Sequence, residues 1–188
     1  HNCLVGSEMC IRDRTDGGLG VSGQELMQRA AQFALDTLLL RCPNTAVISI
    51  LCGKGNNAGD GYWVAMLAKQ LGLDVQLIGV ATKRQLSGDA LRACERAEAA
   101  GLVVEDSDSP IRGSVVVDAL LGTGMRDAPR AGYAEAIEAI NAFEGYVLSI
   151  DLPSGLNANT GSATLAVRAD VTVSCLLYTS PSPRDSCA

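Results

Sequence analysis

Two asparagines and an aspartate sit inside a glycine-rich stretch, Cys52-Gly53-Lys54-Gly55-Asn56-Asn57-Ala58-Gly59-Asp60-Gly61. The run follows an apolar segment, Thr45 to Leu51, and precedes Tyr62 to Leu71, which reads as a helix. Its glycines let a backbone turn tightly and approach a ligand. A helix start adds unpaired N–H groups and a positive dipole end, which suits a phosphate. The two amides and the carboxylate go beyond what a phosphate cradle needs, and they point to a polar ligand, a nucleotide being the expectation. The bland alternative is a strand–helix turn in which Asn56 and Asn57 are simply turn formers. The stretch is not a Walker A element, because Gly55 follows Lys54 where Ser or Thr is required. It is a poor dinucleotide fingerprint, because no acidic residue closes the second strand near Val80–Thr82.

Two more carboxylates occupy positions that ask for a reason. Asp118 lies within Val115-Val116-Val117-Asp118-Ala119-Leu120-Leu121 and is followed by Gly122-Thr123-Gly124-Met125-Arg126-Asp127-Ala128. A carboxylate in an apolar strand must be paired, hydrogen-bonded or bound to a cation; a structural Asp accepting backbone N–H groups from a neighbouring loop is the competing reading. Asp151 ends Val147-Leu148-Ser149-Ile150 and opens Asp151-Leu152-Pro153-Ser154-Gly155-Leu156-Asn157. That is a common place for chemistry or ribose binding, against the alternative of an Asp capping a turn. Ser154 has neither a histidine to activate it nor a Gly-x-Ser-x-Gly elbow, so it is no hydrolase nucleophile; its hydroxyl suits a hard cation that takes oxygen donors.

The elements that must hold these loops read as alternating helices and strands. Gln24–Leu40 is a helix by spacing, with Ser22 as N-cap and Glu25 completing a capping box. Then follow strand Thr45–Cys52, helix Gly61–Leu71, strand Val75–Val80, helix Leu86–Ala100 with Ser87 as cap, and a short strand at Leu102–Val104. Strand Ser114–Leu121, helix Tyr133–Phe143, strand Tyr146–Leu152 and a strand beginning in Ala169–Ser174 complete the pattern. Continuous apolar strands between amphipathic helices argue for a parallel sheet covered on both faces. In such sheets ligands bind beyond the carboxyl ends of the strands, where all three polar loops would meet. Lys83-Arg84 reads as a solvated helix approach, and Trp63 and Met66 as core or a subunit contact.

The two ends read as foreign to this domain. Leu176 to Pro183 can be encoded CTC TTA TAC ACA TCT CCG AGC CCA, and the reverse complement of that string, one base out of step, encodes Gly6 to Arg12. Both ends together resemble a transposase sequencing adapter translated at either end of a fragment. On that expectation residues 1–14 and 175–188 are non-native and 15–174 form one domain. The set-aside ends carry the only histidine, His1, and four of seven cysteines, Cys3, Cys10, Cys175 and Cys187. A domain without histidine has no His-based triad and no His metal ligand. The net charge of −6 argues against a general nucleic-acid binder, no apolar run reaches membrane-spanning length, and the remaining cysteines fit a reduced, cytoplasmic chain.

The three motifs in this order, together with Gly20-Val21-Ser22, Leu26-Met27 and Arg29-Ala30, resemble the NAD(P)H-hydrate epimerase family, the YjeF N-terminal domain, over essentially all of Leu19–Ser174. Ala58 and Asn157 stand where that family usually has Gly and Asp. The resemblance implies an α/β fold, a Rossmann-like three-layer αβα sandwich with a mainly parallel sheet. It also implies that the domain is truncated at both ends, since family members carry an extra N-terminal helix and a further strand, helix and strand. The implied activity is an isomerase that interconverts the R and S epimers of NADHX and NADPHX in nicotinamide nucleotide repair, with the domain the N-terminal part of a bifunctional epimerase/dehydratase or a separate chain. By motif, Asn56, Asn57, Ala58, Gly59 and Asp60 would contact the substrate, as would Gly122, Thr123, Gly124, Met125, Arg126, Asp127 and Ala128. Asp151 would hold the hydrated ring and act as the catalytic group. Asn57, Asp118 and Ser154 would ligate one potassium ion per subunit. A homodimer and an ADP- or ATP-dependent dehydratase, fused or separate, are the implied partners. A non-catalytic nucleotide- or partner-binding module of the same fold is the alternative function, and an ordinary NAD-dependent dehydrogenase a second rival.

Overall fold

The computed structural model describes residues 22–124 and 128–174. The terminal stretches 1–14 and 175–188, and the site candidates Met125, Arg126 and Asp127, lie outside the described residues. Among the described residues the elements run α1 (Gly23–Arg41), β1 (Val47–Cys52), α2 (Asn56–Gln70), β2 (Asp74–Gly79), α3 (Gly88–Ala99), β3 (Val104–Glu105), β4 (Val115–Ala119), α4 (Ala131–Ala142), β5 (Tyr146–Ile150) and β6 (Val171–Val173). The strands form one sheet in the order β3-β2-β1-β4-β5-β6. Every neighbouring pair is parallel. The order reverses between β1 and β4, which makes the carboxyl ends of these two strands the topological switch point.

Alternation along the strands sorts the core into two layers. Ile48, Ile50, Cys52, Val115, Val117, Ala119, Leu148 and Ile150 face α1, α2 and α3. Leu51, Ile78, Val116, Leu120 and Val147 face α4 through Ala136, Ile137 and Ile140. The helices pack closely because the contacting residues are small: Ala31, Ala34, Ala58, Ala65, Ala68, Ala93 and Ala97 are all nearly or fully buried. Ser22 caps α1 as its sequence suggests. Its hydroxyl accepts from the Glu25 amide at 3.2 Å, and the Glu25 carboxylate accepts from the Ser22 amide at 3.0 Å. Ser87 precedes α3 without a side-chain cap bond, and a short 3-10 turn at Lys83–Gln85 stands between it and β2.

On the α4 face of the sheet a connection also lies over β1 and β2. Residues 106–113 run from β3 back to the start of β4 across β2 and β1. Gln76, 1% exposed in β2, straps this segment down. Its Nε2 donates to the Pro110 carbonyl and to Glu105 Oε2, both at 2.9 Å. Its Oε1 accepts from the Arg112 amide at 2.9 Å and from Ser49 Oγ at 2.6 Å. The Gly113 amide in turn donates to Ser49 Oγ at 2.8 Å.

One element differs in kind from its expectation. Helix α2 begins at Asn56, five residues before the expected start at Gly61, so most of the glycine-rich run is helical. The reason is packing. A Cβ on Gly59 would come 2.5 Å from Met27 Sδ, and a Cβ on Gly61 would come 2.6 Å from the Ala119 Cβ and 2.7 Å from Cys52 Sγ. Bare glycines let α2 sit on β1 and β4 and against α1. This tertiary gain outweighs a helix-propensity cost of about 1 kcal/mol per glycine. No helix among the described residues is long and apolar enough to cross a membrane.

Candidate functional site

The loops after β1, β4 and β5 meet at the carboxyl ends of three strands, two of them at the switch point. Asp118 is the buried floor. Its position in β4 pairs with Ser149 of β5, and it is 0% exposed. Its Oδ2 accepts from Ser149 Oγ at 2.7 Å and from the Ser154 amide at 2.9 Å. Its Oδ1 accepts from Ser154 Oγ at 2.5 Å and from the Leu120 amide at 3.2 Å. Burial pushes the carboxyl above its ordinary range, and these hydrogen bonds, those of Ser154 foremost, pull against that rise. All these partners are hydroxyls and amides, and no cationic side chain is among them. Ser149 escaped notice in the sequence; a serine at the same depth as Asp118 in the next apolar strand was the available signal.

Above this floor the first two loops interlock. Asn57, in the first turn of α2 and 7% exposed, donates from Nδ2 to the Leu121 carbonyl at 2.9 Å. The Leu121 amide donates to Ser154 Oγ at 2.9 Å. The carbonyl fixes which way the Asn57 amide faces, and its Oδ1 is left buried with no hydrogen-bond partner. A buried polar atom without a partner costs about 1–3 kcal/mol, so it needs an explanation.

Asp151 forms the third side. Its φ is +66°, the only positive value among the described non-glycine residues. The Leu152 amide reaches back to the Ile150 carbonyl at 2.8 Å, closing a three-residue turn of the strained kind. Two bonds hold the residue there: its amide donates to the Val173 carbonyl of β6 at 2.8 Å, and its Oδ2 accepts from the Thr123 amide at 3.1 Å. Gly122 makes room, since a Cβ there would lie 2.9 Å from Asp151 Oδ2 and 3.4 Å from the Asn57 Cβ. Strain of this sort persists only where the surroundings over-determine it, and it gathers at functional sites. Asp60, one turn along α2 from Asn57, is half-buried. Desolvation first, and the Asp151 charge second, hold its carboxyl well above the usual range, which favours the protonated form, the one able to donate a hydrogen bond.

The remaining candidates divide. Asn56 is exposed at the start of α2, where the helix leaves its first amides without intrahelical partners. Ala58 and Gly59 turn inward, Ala58 into the core and Gly59 against Met27 and Ala90, and their amides are spent on the Gly55 carbonyl. Gly122, Thr123 and Gly124 lie on the rim, and exposed Ala128 is on the way to α4. Asn157 folds into its own turn, its Oδ1 accepting from the Asn159 and Thr160 amides.

Asn57, Asp118 and Ser154, linked through Leu121, offer oxygens without a histidine or thiolate, a set suited to a hard cation. The unpartnered Asn57 Oδ1 and the uncompensated Asp118 carboxylate are what such an ion would satisfy. Among the described residues no group of three or more His, Cys, Asp or Glu side chains gathers as a transition-metal site would need.

A family profile described as "YjeF-related protein N-terminus" matches residues 23–180. Among curated proteins, the chain is 41% identical over 172 residues to the bifunctional NAD(P)H-hydrate repair enzyme Nnr of Coxiella burnetii, covering 87% of this chain and 35% of that protein. It is 37% identical over 164 residues to the NAD(P)H-hydrate epimerase of Pirellula staleyi, covering 81% of this chain and 72% of that one. The chain thus spans about a third of the length of the bifunctional relatives it matches. Among solved structures, yeast ynu0 superposes with a TM-score of 0.78 at 18% identity, over 89% of this chain and 76% of that chain, and shares the Rossmann-like fold.

Proposed function

Because this chain belongs to the family of YjeF-related protein N-termini, we propose that it carries the NAD(P)H-hydrate epimerase activity for which several of its relatives are named. The reaction interconverts the R and S epimers of NADHX and NADPHX. The observation that carries the reading is the meeting of Asn57, Gly122, Thr123 and Asp151 at one point beyond the switch point, around a carboxylate held in a strained backbone conformation. Epimerising a hydroxyl-bearing carbon requires one bond at that carbon to break and re-form. If the bond from that carbon to the ring nitrogen breaks, Asp151 takes the hydroxyl proton as the carbonyl forms and the electron pair goes to nitrogen, then returns the proton when the ring closes on the other face. If the C–O bond breaks and the oxygen leaves as water, Asp151 faces the cationic ring until water re-adds. The rim residues Asn56, Asp60, Gly122, Thr123 and Gly124 bind the nucleotide, with Asp60 serving as a donor.

One potassium ion belongs to this reading, held by Asn57 Oδ1, Asp118 and Ser154; when bound it supplies positive charge beneath the rim and fixes the loops that carry Asp151. In support, this is where the structure leaves a buried acceptor unpartnered and a buried carboxylate without a cation. We place the protein in the cytoplasm, in keeping with its unpaired Cys42, Cys52 and Cys94. Its partner is an ADP- or ATP-dependent dehydratase, fused or separate, in line with the bifunctional names of its relatives. A homodimer is supported by Phe33 and Leu40, 59% and 81% exposed two helical turns apart on α1.

The test is to add the chain to NADHX enriched in one epimer and follow both epimers by chromatography, in potassium and in sodium. Faster equilibration than in buffer, and faster in potassium, is the expected result. Binding of NADHX without any acceleration would reduce the protein to a binding module.

A further inference from the structure

Helix α4 has a contact with the site that the motifs do not announce. Tyr133 sits in its first turn, where the second rim loop becomes helix, and its ring reaches across to the β1–α2 turn. A Cβ on Gly53 would lie 3.0 Å from the ring-edge carbon Cε1 of Tyr133, and 1.9 Å from the Leu120 carbonyl oxygen. Gly53 is therefore pressed between the β4 end and the Tyr133 ring. The phenol is half-buried, and its hydroxyl is shielded from solvent with no hydrogen-bond partner. It lies beside the Lys54 backbone amide without reaching bonding geometry.

A buried phenol almost always finds a partner, and a buried hydroxyl left without one is a cost that the right ligand state can remove. The Lys54 amide beside it lies in the turn whose backbone leads into the start of α2. We propose that Tyr133 is a positioning residue: its hydroxyl closes a hydrogen bond with the Lys54 amide when a nucleotide occupies the rim, setting the Gly53–Gly55 backbone against the ligand. The proposal rests on the rim being a nucleotide site. It makes the second loop and α4 act on the first loop through a side chain, beside the direct contact of Asn57 with Leu121.

Tyr133→Phe keeps the ring and removes the hydroxyl; Tyr133→Ala removes both. With NADHX as substrate, Tyr133→Phe raises KM several-fold while changing kcat much less, and the melting temperature without ligand stays at the parent value because the bond is absent in that state. Tyr133→Ala lowers the melting temperature as well, because Gly53 loses its support. Hydrogen exchange at the Lys54 amide slows on NADHX binding in the parent and does not in Tyr133→Phe. That measurement decides the matter even if the parent binds NADHX without epimerising it, an outcome that would sink the catalytic reading alone. An unchanged KM, equal slowing of exchange in the parent and Tyr133→Phe, or a parent that does not bind NADHX at all would overturn the proposal.

Discussion

Gln76 and Asn57 are both carboxamides buried in this fold, and they end differently. Gln76, in the strap that ties residues 106–113 to β2, uses both lone pairs and both N–H groups within the protein. Asn57, in the rim, satisfies one side through Leu121 and leaves Oδ1 buried and alone. The carboxylates nearby repeat the contrast. Glu105 beside the strap bonds to Gln76 and pairs with Arg112 at 2.6 Å, whereas among the described residues Asp118 gathers neutral donors alone. Backbone strain falls on the same side, at Asp151. A polar group within an apolar fold is thus no mark of function by itself. What distinguishes the rim is that its requirements are incompletely met from within the chain.

The comparison can be broken in several places. Asp151→Asn should show the largest effect, slowing epimer interconversion by roughly 10²–10⁴-fold at an unchanged melting temperature. Asn tolerates a positive φ better than other non-glycine residues, so the turn survives and the loss is chemical; near-parent rates by chromatography would remove Asp151 from the mechanism. Gln76→Leu should leave the rate of the folded protein near that of the parent.

Asp118→Ala and Gln76→Ala should each destabilise by about 3 kcal/mol in urea unfolding, since each strands several buried partners. Potassium separates them. The Gln76 variant should keep whatever stabilisation potassium gives the parent, and the Asp118 variant should lose it. Equal potassium responses in both variants, or none in the parent, would collapse the distinction between rim and strap.

A smaller effect concerns Asp60. Its folded pKa is raised, by burial first and by Asp151 second. The protonated form therefore contributes stability that is complete below the ordinary carboxylate pKa of about 4, and it is lost as pH rises toward the folded value. Asp60→Asn removes that dependence. Its melting temperature should gain on the parent as pH increases from about 4, with no gain at lower pH. A pH-independent difference would show that Asp60 is not held neutral.

Smallest is Arg112→Ala. The Arg112–Glu105 pair is mostly exposed on the arginine side, and losing it should cost below about 1 kcal/mol. A larger loss would mean that the pair, and not Gln76, holds the strap.

The strands and the meeting of the three loops were legible because β1, β4 and β5 are largely apolar runs, each ended by a polar or glycine-rich loop, and a parallel sheet puts those ends on one rim. The start of α2 was not legible. Gly59 and Gly61 look like turn residues in sequence, and only their contacts with Met27, Cys52 and Ala119 show that their missing side chains serve a helix. The strap was equally hidden, because Gln76 meets Pro110 and Arg112 across 34 and 36 residues, a pairing that no local pattern encodes. Ser149 and Tyr133 act in the rim through neighbours in space.

The bond from the Asp151 amide to the Val173 carbonyl ties the Asp151 carboxylate to β6, a strand only three residues long. A three-residue strand opens and closes more often than the longer strands behind it. Each opening releases one of the bonds that keep Asp151 left-handed, and the turn is then at liberty to relax toward an ordinary φ. The geometry of the carboxylate thus has the lifetime of that short pairing, and the Asp151 amide becomes its clock: its exchange with solvent reads how often the site comes apart. During synthesis the same bond imposes an order, because Asp151 leaves the ribosome 22 residues before Val173, its partner, and the site is assembled only when β6 docks.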